Sequence, residues 1–138
     1  MSGNALRLPA ALARQIVGHA LAAYPDEACG LVSGSDGIAV QVHEGRNVSA
    51  NPHMAYELDV DTLALQIGFE EAGLELVAIY HSHPRGPATP SSVDIARATY
   101  PGVVHIICSL ADRDQPQLRG FLISGDGFCE VPIATISA

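Results

Sequence analysis

The sequence predicts a single α/β domain in which helices flank a mixed β-sheet. The chain has 138 residues, which is enough for one hydrophobic core and too few for two. Helical and alternating apolar patterns follow one another in the order α-β-β-α-β-α-β-β-β, which is typical of helices packed against a mixed sheet. No internal repeat or linker-like tract interrupts this order. We therefore expect residues 1–138 to form one domain.

The first half of the chain predicts a helix, a hairpin and a second helix. Apolar side chains recur at helical spacing over residues 8–24, which indicates an amphipathic helix. The β-prone runs 28–33 and 38–43 flank a turn with two glycines and an aspartate, which is typical of an antiparallel hairpin. A loop over residues 46–52 then leads to an amphipathic helix over residues 61–72, with a glycine directly after it.

The second half predicts a strand, a short helix and three further strands. Residues 74–81 alternate between two faces along their whole length and predict a strand. A proline-rich loop separates this strand from a short helix over residues 91–100, because proline fixes the backbone and cannot join a β-ladder. The nearly all-apolar run 103–110 predicts a central strand. The runs 118–124 and 128–133 predict a closing hairpin around a Gly-Asp-Gly turn.

Composition and charge exclude several classes of function. With 7 basic and 15 acidic residues the net charge is −8 at pH 7, so we expect no binding to nucleic acid or to an anionic membrane. The first seven residues lack a secretion signal, and no apolar run approaches the ~18 residues of a membrane span. A cytoplasmic location is therefore expected. The odd number of cysteines, which lie in apolar segments, favours reduced thiols at Cys29, Cys108 and Cys129.

Two histidines and an aspartate have the spacing of a metal site. His81 and His83 lie two residues apart at the end of a predicted strand, so their imidazoles point to the same side. Asp94 lies in the helix after the proline-rich loop, and this loop can fold that helix back beside the strand end. Two imidazole nitrogens and one carboxylate oxygen suit Zn²⁺ and leave a fourth position open for water. The three residues therefore predict a zinc site that is capable of hydrolysis.

Ser91 is a candidate for the same site. It lies three residues before Asp94, so the two share a helix face and the hydroxyl can point towards the metal. The same spacing is also that of a helix capping box, in which both side chains serve the backbone. An N-cap at Thr89, with Pro90 at the first helical position, would instead free Ser91. The sequence leaves these two alternatives open.

Hydrolysis by a metal also needs a carboxylate that takes the proton from water and returns it to the leaving amine without binding the metal. Glu27 is our candidate, because it lies where the first predicted helix passes into the first predicted strand. By residue type alone, the alternatives are Asp26, Glu70 and Glu71.

These residues together resemble the signature of the JAMM (MPN-plus) metalloproteases in their compact prokaryotic form. The matching segments are Glu27-x-Cys29-Gly30-Leu31-x-x-Gly34 and His81-Ser82-His83-Pro84-x6-Ser91-x-x-Asp94. The resemblance covers almost the whole chain and implies an MPN-like domain. It implies one Zn²⁺ per chain on His81, His83 and Asp94. It also implies that Glu27 acts as general acid/base, with a zinc-bound water as the nucleophile, and that Ser91 stabilises the oxyanion.

The resemblance also implies the substrate. JAMM proteins cleave peptide or isopeptide bonds after the C-terminal glycines of ubiquitin-like proteins, and compact prokaryotic members act on ubiquitin-like sulfur-carrier or modifier proteins. A tail of glycines has no side chains and can lie extended in a narrow groove beside a buried metal. The expected partner is therefore a ubiquitin-like or sulfur-carrier protein with a Gly-Gly tail.

Three other functions compete with this interpretation. A non-catalytic MPN scaffold would have the same fold but would have lost the motif residues that this chain retains. A cysteine enzyme would use Cys29 as nucleophile and a nearby histidine as base, but a buried cysteine is usually an inert small hydrophobe. A purely structural zinc would need a fourth protein ligand. The remaining histidines that could supply it are His19, His43, His53 and His105.

Arg85 lies in the loop between the predicted ligands. Its guanidinium could attract an acidic carrier or bind a terminal carboxylate, whereas a solvated loop charge is the simpler interpretation. The net charge of −8 argues against attraction of an equally acidic partner unless the groove is locally positive.

Overall fold

The computed structural model describes residues 5–137, which form an eight-stranded mixed sheet with helices on both faces. The strands are β1 (Leu6–Pro9), β2 (Cys29–Ser35), β3 (Ile38–Glu44), β4 (Glu75–His83), β5 (Val104–Ser109), β6 (Gln117–Ser124), β7 (Gly127–Val131) and β8 (Ile133–Ile136). The helices are α1 (Ala10–Ala23), α2 (Val60–Ala64), α3 (Gln66–Glu71) and α4 (Ser92–Ala96). The predicted fold class is confirmed. Over the same residues, no helix has the length and apolar character needed to cross a membrane.

The strand order places β4 near the middle of the sheet, which runs β7-β6-β5-β4-β2-β3-β1-β8. β4 pairs antiparallel with β2 and parallel with β5. The parallel pairing requires a crossover from the end of β4 to the start of β5, and α4 lies in this crossover. The carboxyl end of β4, which carries His81 and His83, therefore lies beside the chain segment that carries α4.

The two faces of the sheet pack against different helices. On one face, Ile16 and Ala20 of α1 pack with Ala78 and Tyr80 of β4. On the other face, Phe69 of α3 packs with Ile79 of β4. Because side chains alternate along a strand, the residues that follow Ile79 at intervals of two share its face. The two histidines of β4 therefore point away from α1 and towards the helices α2 to α4.

The order of elements differs from the prediction at both ends of the chain. The predicted first helix begins only at Ala10, because residues Leu6–Pro9 form β1 and pair in parallel with β8. The pairing joins Leu6 to Ile133 and Pro9 to Ile136. Neither strand was predicted. The expectations that rest on residues 1–4, including the absence of a secretion signal, lie outside the described residues.

Two predicted helices are also shorter than expected. The helix predicted over residues 61–72 is divided into α2 and α3 at Leu65, whose N–H bonds to the carbonyl of Thr62, three residues back. This i−3 bond tightens the turn and separates the two helices. The helix predicted over residues 91–100 is the single short helix α4.

The strict alternation predicted for the strand over residues 74–81 is interrupted by a bulge. Val32 of β2 lies opposite Ala78, but the next residue, Ser33, lies opposite Leu76, so Val77 has no direct partner. Leu76 therefore packs on the α3 face and Val77 on the α1 face. Strict alternation predicted the reverse, with Leu76 on the face of Ala78 and Val77 on the face of Ile79. The alternation holds from Ala78 onward, which includes both histidines.

Candidate metal centre

The structure brings the three predicted ligands together. Nε2 of His81 and Nε2 of His83 lie 3.1 Å apart. Oδ2 of Asp94 lies 2.9 Å from Nε2 of His83 and 3.2 Å from Nε2 of His81. All three side chains are almost completely shielded from solvent. Within residues 5–137 these three residues form the only group of three or more His, Cys, Asp or Glu side chains close enough to share a metal ion.

The loop between β4 and α4 fixes the orientation of His83. Nδ1 of His83 lies 2.7 Å from the carbonyl oxygen of Pro87, so Nδ1–H donates to this carbonyl and Nε2 keeps its lone pair for the site. The hydroxyl of Ser109 donates to the carbonyl of Gly86 over 2.6 Å. Because Ser109 ends β5, this bond ties the loop to the sheet. The ring of His83 is therefore oriented by the backbone of this loop.

Ser91 is the N-cap of α4 and forms a capping box with Asp94. Its hydroxyl accepts a hydrogen bond of 3.1 Å from the N–H of Asp94, and Oδ2 of Asp94 accepts one of 2.9 Å from the N–H of Ser91. The alternative N-cap at Thr89 is therefore wrong. Capping and participation in the site are nevertheless compatible, because the same Oδ2 faces His83. The Ser91 hydroxyl acts as an acceptor in this bond, so its own hydrogen remains available for donation.

The charge states of the ligands suit a cation. Burial lowers the pKa of His81, which keeps this imidazole neutral. Burial alone would raise the pKa of Asp94, but its contacts with His81 and His83 outweigh burial and hold that pKa far below its ordinary value. Metal ligands must be deprotonated to bind. His81 and Asp94 meet this requirement at neutral pH.

The donor atoms also have a suitable spacing. Ligands that surround zinc tetrahedrally at about 2.0–2.1 Å stand about 3.3 Å from one another, and the three atoms here are 2.9–3.2 Å apart. Two imidazole nitrogens and one carboxylate oxygen at such distances present lone pairs to a common point once both imidazoles are deprotonated. The residues therefore fit a metal ion bound by two nitrogens and one oxygen.

Glu27 lies beside the three ligands and is buried, with 5% of its surface exposed. Its Oε1 is buried and has no hydrogen-bond partner among the described residues. Burial raises the pKa of Glu27 to about 7, and the positive charge of His83 opposes this increase. A carboxyl group with this pKa exchanges protons readily near neutral pH.

Asn47 holds the loop that carries Glu27. Its side-chain amide donates hydrogen bonds to the carbonyl oxygens of Glu27, Pro52 and Ala55 over 3.0, 3.2 and 3.0 Å. The N–H of Glu27 donates to Pro52 as well, over 2.7 Å. Asn47 carries no distinctive signal in the sequence, because a single asparagine in a loop is typical of any turn.

The alternative bases do not occupy comparable positions. Asp26 lines the same cavity as Glu27 but is exposed. Glu70 and Glu71 are exposed at the end of α3 and line neither of the two cavities beside the ligands. Of the four acids considered, Glu27 is thus the one that is both buried and adjacent to the ligands.

Two cavities lie on either side of the three residues. The first cavity has a volume of about 700 Å³ and is lined by Glu27, His53, Met54, His83, Arg85 and Ser91, among others. The second cavity, of about 350 Å³, is lined by Tyr56, Leu63, His81, Asp94, Arg97 and His105, among others. The ring of Tyr56 stacks on that of His81 with 4.5 Å between centroids. The group of His81, His83 and Asp94 therefore lies between the two cavities, with His83 on one side and His81 and Asp94 on the other.

The remaining histidines do not join the ligand group. His19 bonds to the hydroxyl of Tyr80 over 2.6 Å, and His43 bonds to the hydroxyl of Ser33 over 2.8 Å. His105 bonds to a backbone carbonyl over 3.1 Å. His53 is exposed on the wall of the first cavity. Within the described residues, a structural zinc with four protein ligands therefore has no support.

Cys29 does not have the properties of a nucleophile. It is completely buried, and burial raises the pKa of its thiol to about 12, so the reactive thiolate is scarce at neutral pH. Its thiol is free, as are those of Cys108 and Cys129.

Comparison with known proteins places the chain in a family. Residues 9–121 match the family model of prokaryotic homologs of the JAB domain. The chain is 40% identical over 113 residues to a desampylase of Haloferax volcanii, covering 80% of this chain and 78% of that protein. It is 31% identical over 133 residues to a CysO-cysteine peptidase of Mycobacterium tuberculosis, covering 95% of this chain and 91% of that protein.

A solved structure shows the same fold. The crystal structure of a JAB1/MPN domain protein from Archaeoglobus fulgidus matches with a TM-score of 0.61 at 22% identity, over 96% of this chain and 99% of that one. The MPN-like fold expected from the motif residues is therefore confirmed. The chain belongs to the prokaryotic homologs of the JAB domain, the compact prokaryotic type of JAMM protein.

Proposed function

We propose that this protein is a zinc-dependent peptidase or isopeptidase. It hydrolyses the bond after the C-terminal glycines of a ubiquitin-like or sulfur-carrier protein, and residues 1–138 act as one domain. The observation that carries the proposal is that buried Glu27 lies beside the convergent atoms of His81, His83 and Asp94, in a group that has a cavity on either side. The names desampylase and CysO-cysteine peptidase, given to relatives, support the class of substrate.

Zinc would be held by Nε2 of His81, Nε2 of His83 and Oδ2 of Asp94. Two imidazoles and one carboxylate favour zinc over calcium and magnesium, which prefer oxygen ligands. When bound, zinc polarises the scissile carbonyl and lowers the pKa of water from near 16 to about 7.

Glu27 is the general acid/base in this proposal. Its Oε1 has no competing partner among the described residues, so it can accept the proton that the attacking water loses. The pKa of about 7 lets the same oxygen return that proton to the amine that leaves. Proton transfer of this kind typically contributes about 10²- to 10⁴-fold to the rate.

Ser91 stabilises the negative charge that develops on the carbonyl oxygen. Its hydroxyl lines the first cavity together with Glu27, and its hydrogen is not used in the bond from Asp94. The removal of one such donor typically costs about 10²- to 10³-fold in kcat.

The test is cleavage of a carrier by the purified, zinc-loaded protein. The substrate is a ubiquitin-like protein whose Gly-Gly tail carries a C-terminal extension, and the product is identified by intact mass. We expect cleavage directly after the second glycine, loss of cleavage with a chelator, and recovery when zinc is restored. A carrier with Ala-Val in place of Gly-Gly serves as the control substrate. A stable complex with the carrier and no cleavage would favour the non-catalytic scaffold.

A further inference from the structure

We propose that Arg85 binds the free α-carboxylate of the residue that leaves, so that the preferred substrate is a carrier extended by a single amino acid. This inference rests on the proposed function and specifies its substrate class. It distinguishes the release of an amino acid from the cleavage of an isopeptide bond to a lysine side chain.

The leaving residue belongs in the first cavity. The proton that Glu27 returns must reach the leaving nitrogen over hydrogen-bond distance, and Glu27 lines the first cavity and not the second. His81 and Asp94, in contrast, line the second cavity. The glycine tail of the carrier therefore approaches through the second cavity, and the residue after the scissile bond lies in the first.

Among residues 5–137, Arg85 is the only arginine or lysine that lines the first cavity. The acidic side chains on that wall are those of Asp26 and Glu27, and the chain as a whole carries a net charge of −8. A leaving residue with a free carboxylate would be repelled there without a cation. A guanidinium offers two parallel N–H donors that match a carboxylate.

The guanidinium of Arg85 is also free to bind. It makes no hydrogen bond and no ion pair with any described residue, whereas Arg119 is engaged by Glu130 over 2.7 Å. The backbone around Arg85 is nevertheless held in place. Pro84 precedes it, the carbonyl of Gly86 is bonded to Ser109, and the carbonyl of Pro87 is bonded to His83. The cation therefore projects from a fixed backbone position.

The reach of Arg85 suits an α-carboxylate. Arg85 follows His83 by two residues in the chain. The Cα atoms of the two residues are therefore no more than about 7 Å apart. In a single released amino acid, the carboxylate is separated from the scissile nitrogen by only one carbon. A lysine joined through its ε-amine offers no carboxylate there, because its α-carboxyl is distant and lies in a peptide bond. Arg85 therefore favours the single-residue extension.

The experiment compares three carriers with the same Gly-Gly tail. The tail ends in alanine with a free carboxylate, in alanine amide, or in a bond to the ε-amine of Nα-acetyl-lysine amide. The zinc-loaded wild type is assayed beside Arg85→Ala, Arg85→Lys and Arg14→Ala. Arg14 is an exposed arginine of α1, the helix on the opposite face of the sheet, and it controls for the loss of one charge. Binding of each carrier to the zinc-loaded Glu27→Gln variant, with and without Arg85→Ala, provides a readout that is independent of turnover.

We expect the wild type to prefer the free carboxylate over the amide by about tenfold or more in kcat/KM, which is the effect of one charge-assisted contact. Arg85→Ala should remove this preference, because it weakens the binding of only the carrier with the free carboxylate. Arg85→Lys should retain part of the preference, and Arg14→Ala should retain it fully. Equal cleavage of acid and amide by the wild type, or an equal loss for both in Arg85→Ala, would overturn the inference while leaving the proposed function intact. Cleavage of none of the three carriers would overturn the proposed function and the inference with it.

Discussion

The side-chain amide of Asn47 donates a hydrogen bond of 3.0 Å to the backbone carbonyl of Glu27. The carbonyl oxygen of the same side chain accepts from the N–H groups of Ser49 and Glu57, over 3.0 and 3.1 Å. One half-buried side chain thus joins the Glu27 segment to the loop that follows β3. The position of the proposed base depends on a residue that does not itself face the ligands.

Replacement of Asn47 should therefore impair catalysis without removing the metal. In Asn47→Ala the segment of Glu27 loses its anchor, and we expect kcat/KM to fall by about 10²-fold, the typical effect of a small misplacement of a catalytic group. Zinc content, measured by metal analysis, should remain that of the wild type. Asn51→Ala, in the same loop, is the matched control, because that side chain makes no hydrogen bond with a described residue. Equal activity of both variants would contradict a positioning role for Asn47.

Asp59 should make stability depend on pH in the acidic range. Its carboxylate accepts from the N–H of Arg46 and from the hydroxyl and N–H of Thr62. The hydrogen bond from Arg46 is the largest of the effects that lower its pKa to about 2. Because the folded pKa lies below the unfolded value, the stabilisation is present above about pH 4 and is lost as the pH falls towards 2.

Asp59→Asn should therefore lower the free energy of unfolding at pH 7 by about 1 kcal/mol, because both carboxylate oxygens accept hydrogen bonds and an amide offers only one accepting oxygen. The difference from the wild type should shrink as the pH is lowered to 2. Urea unfolding at several pH values measures this difference. Asp61→Asn, an exposed acid in the same helix, should have a much smaller effect. A difference between Asp59→Asn and wild type that is constant with pH would refute the assigned role.

Gly30 is required by close packing. A Cβ at this position would collide with the ring of Tyr80 and with the carbonyl oxygen of His43. We expect Gly30→Ala to lower the free energy of unfolding by about 1–3 kcal/mol, the usual cost of overpacking. Gly18→Ala is the control, because a Cβ there meets nothing within 4 Å and alanine favours the helix by about 0.5–1 kcal/mol. Chemical unfolding should give the two substitutions opposite signs, and the same sign for both would contradict this packing.

Zinc should stabilise the folded protein through the three ligands. Binding to the native state alone adds about 2.7 kcal/mol when free zinc is 100 times its Kd, so the Tm of the metal-free protein should rise on addition of zinc. We expect the same rise in His53→Ala, which removes an exposed histidine of the first cavity. In His83→Ala the rise should be largely lost. Magnesium should have no comparable effect, because it prefers oxygen ligands. An equal zinc-induced shift in wild type and His83→Ala would place the metal elsewhere.

Much of the candidate site could be predicted because it depends on local rules. His81 and His83 share a side because strand residues alternate, and the structure confirms that their Nε2 atoms converge. The return of Asp94 to the same place follows from a short crossover between parallel strands. The spacing of Ser91 and Asp94 could not decide between a helix cap and a role in the site. The structure shows why, because Oδ2 of Asp94 both accepts from the N–H of Ser91 and contacts Nε2 of His83.

The remaining features depend on contacts that are distant in sequence. β1 and β8 each have four residues, too few to show a periodic pattern, and they come from opposite ends of the described chain. The bulge at Val77 is defined only by the register against β2. Asn47 acquires its role from the three backbone carbonyls that surround it after folding. A single sequence contains no signal for these arrangements.

The most direct test of the central claim compares Glu27→Gln with the wild type in both zinc content and carrier cleavage. Glutamine keeps the shape of the side chain but cannot accept and return a proton. We expect Glu27→Gln to hold one zinc per chain and to cleave the extended Gly-Gly carrier at least about 10²-fold more slowly, as for loss of a general acid/base. Cleavage by Glu27→Gln at the wild-type rate, or by wild-type protein that has been fully stripped of metal, would contradict the account.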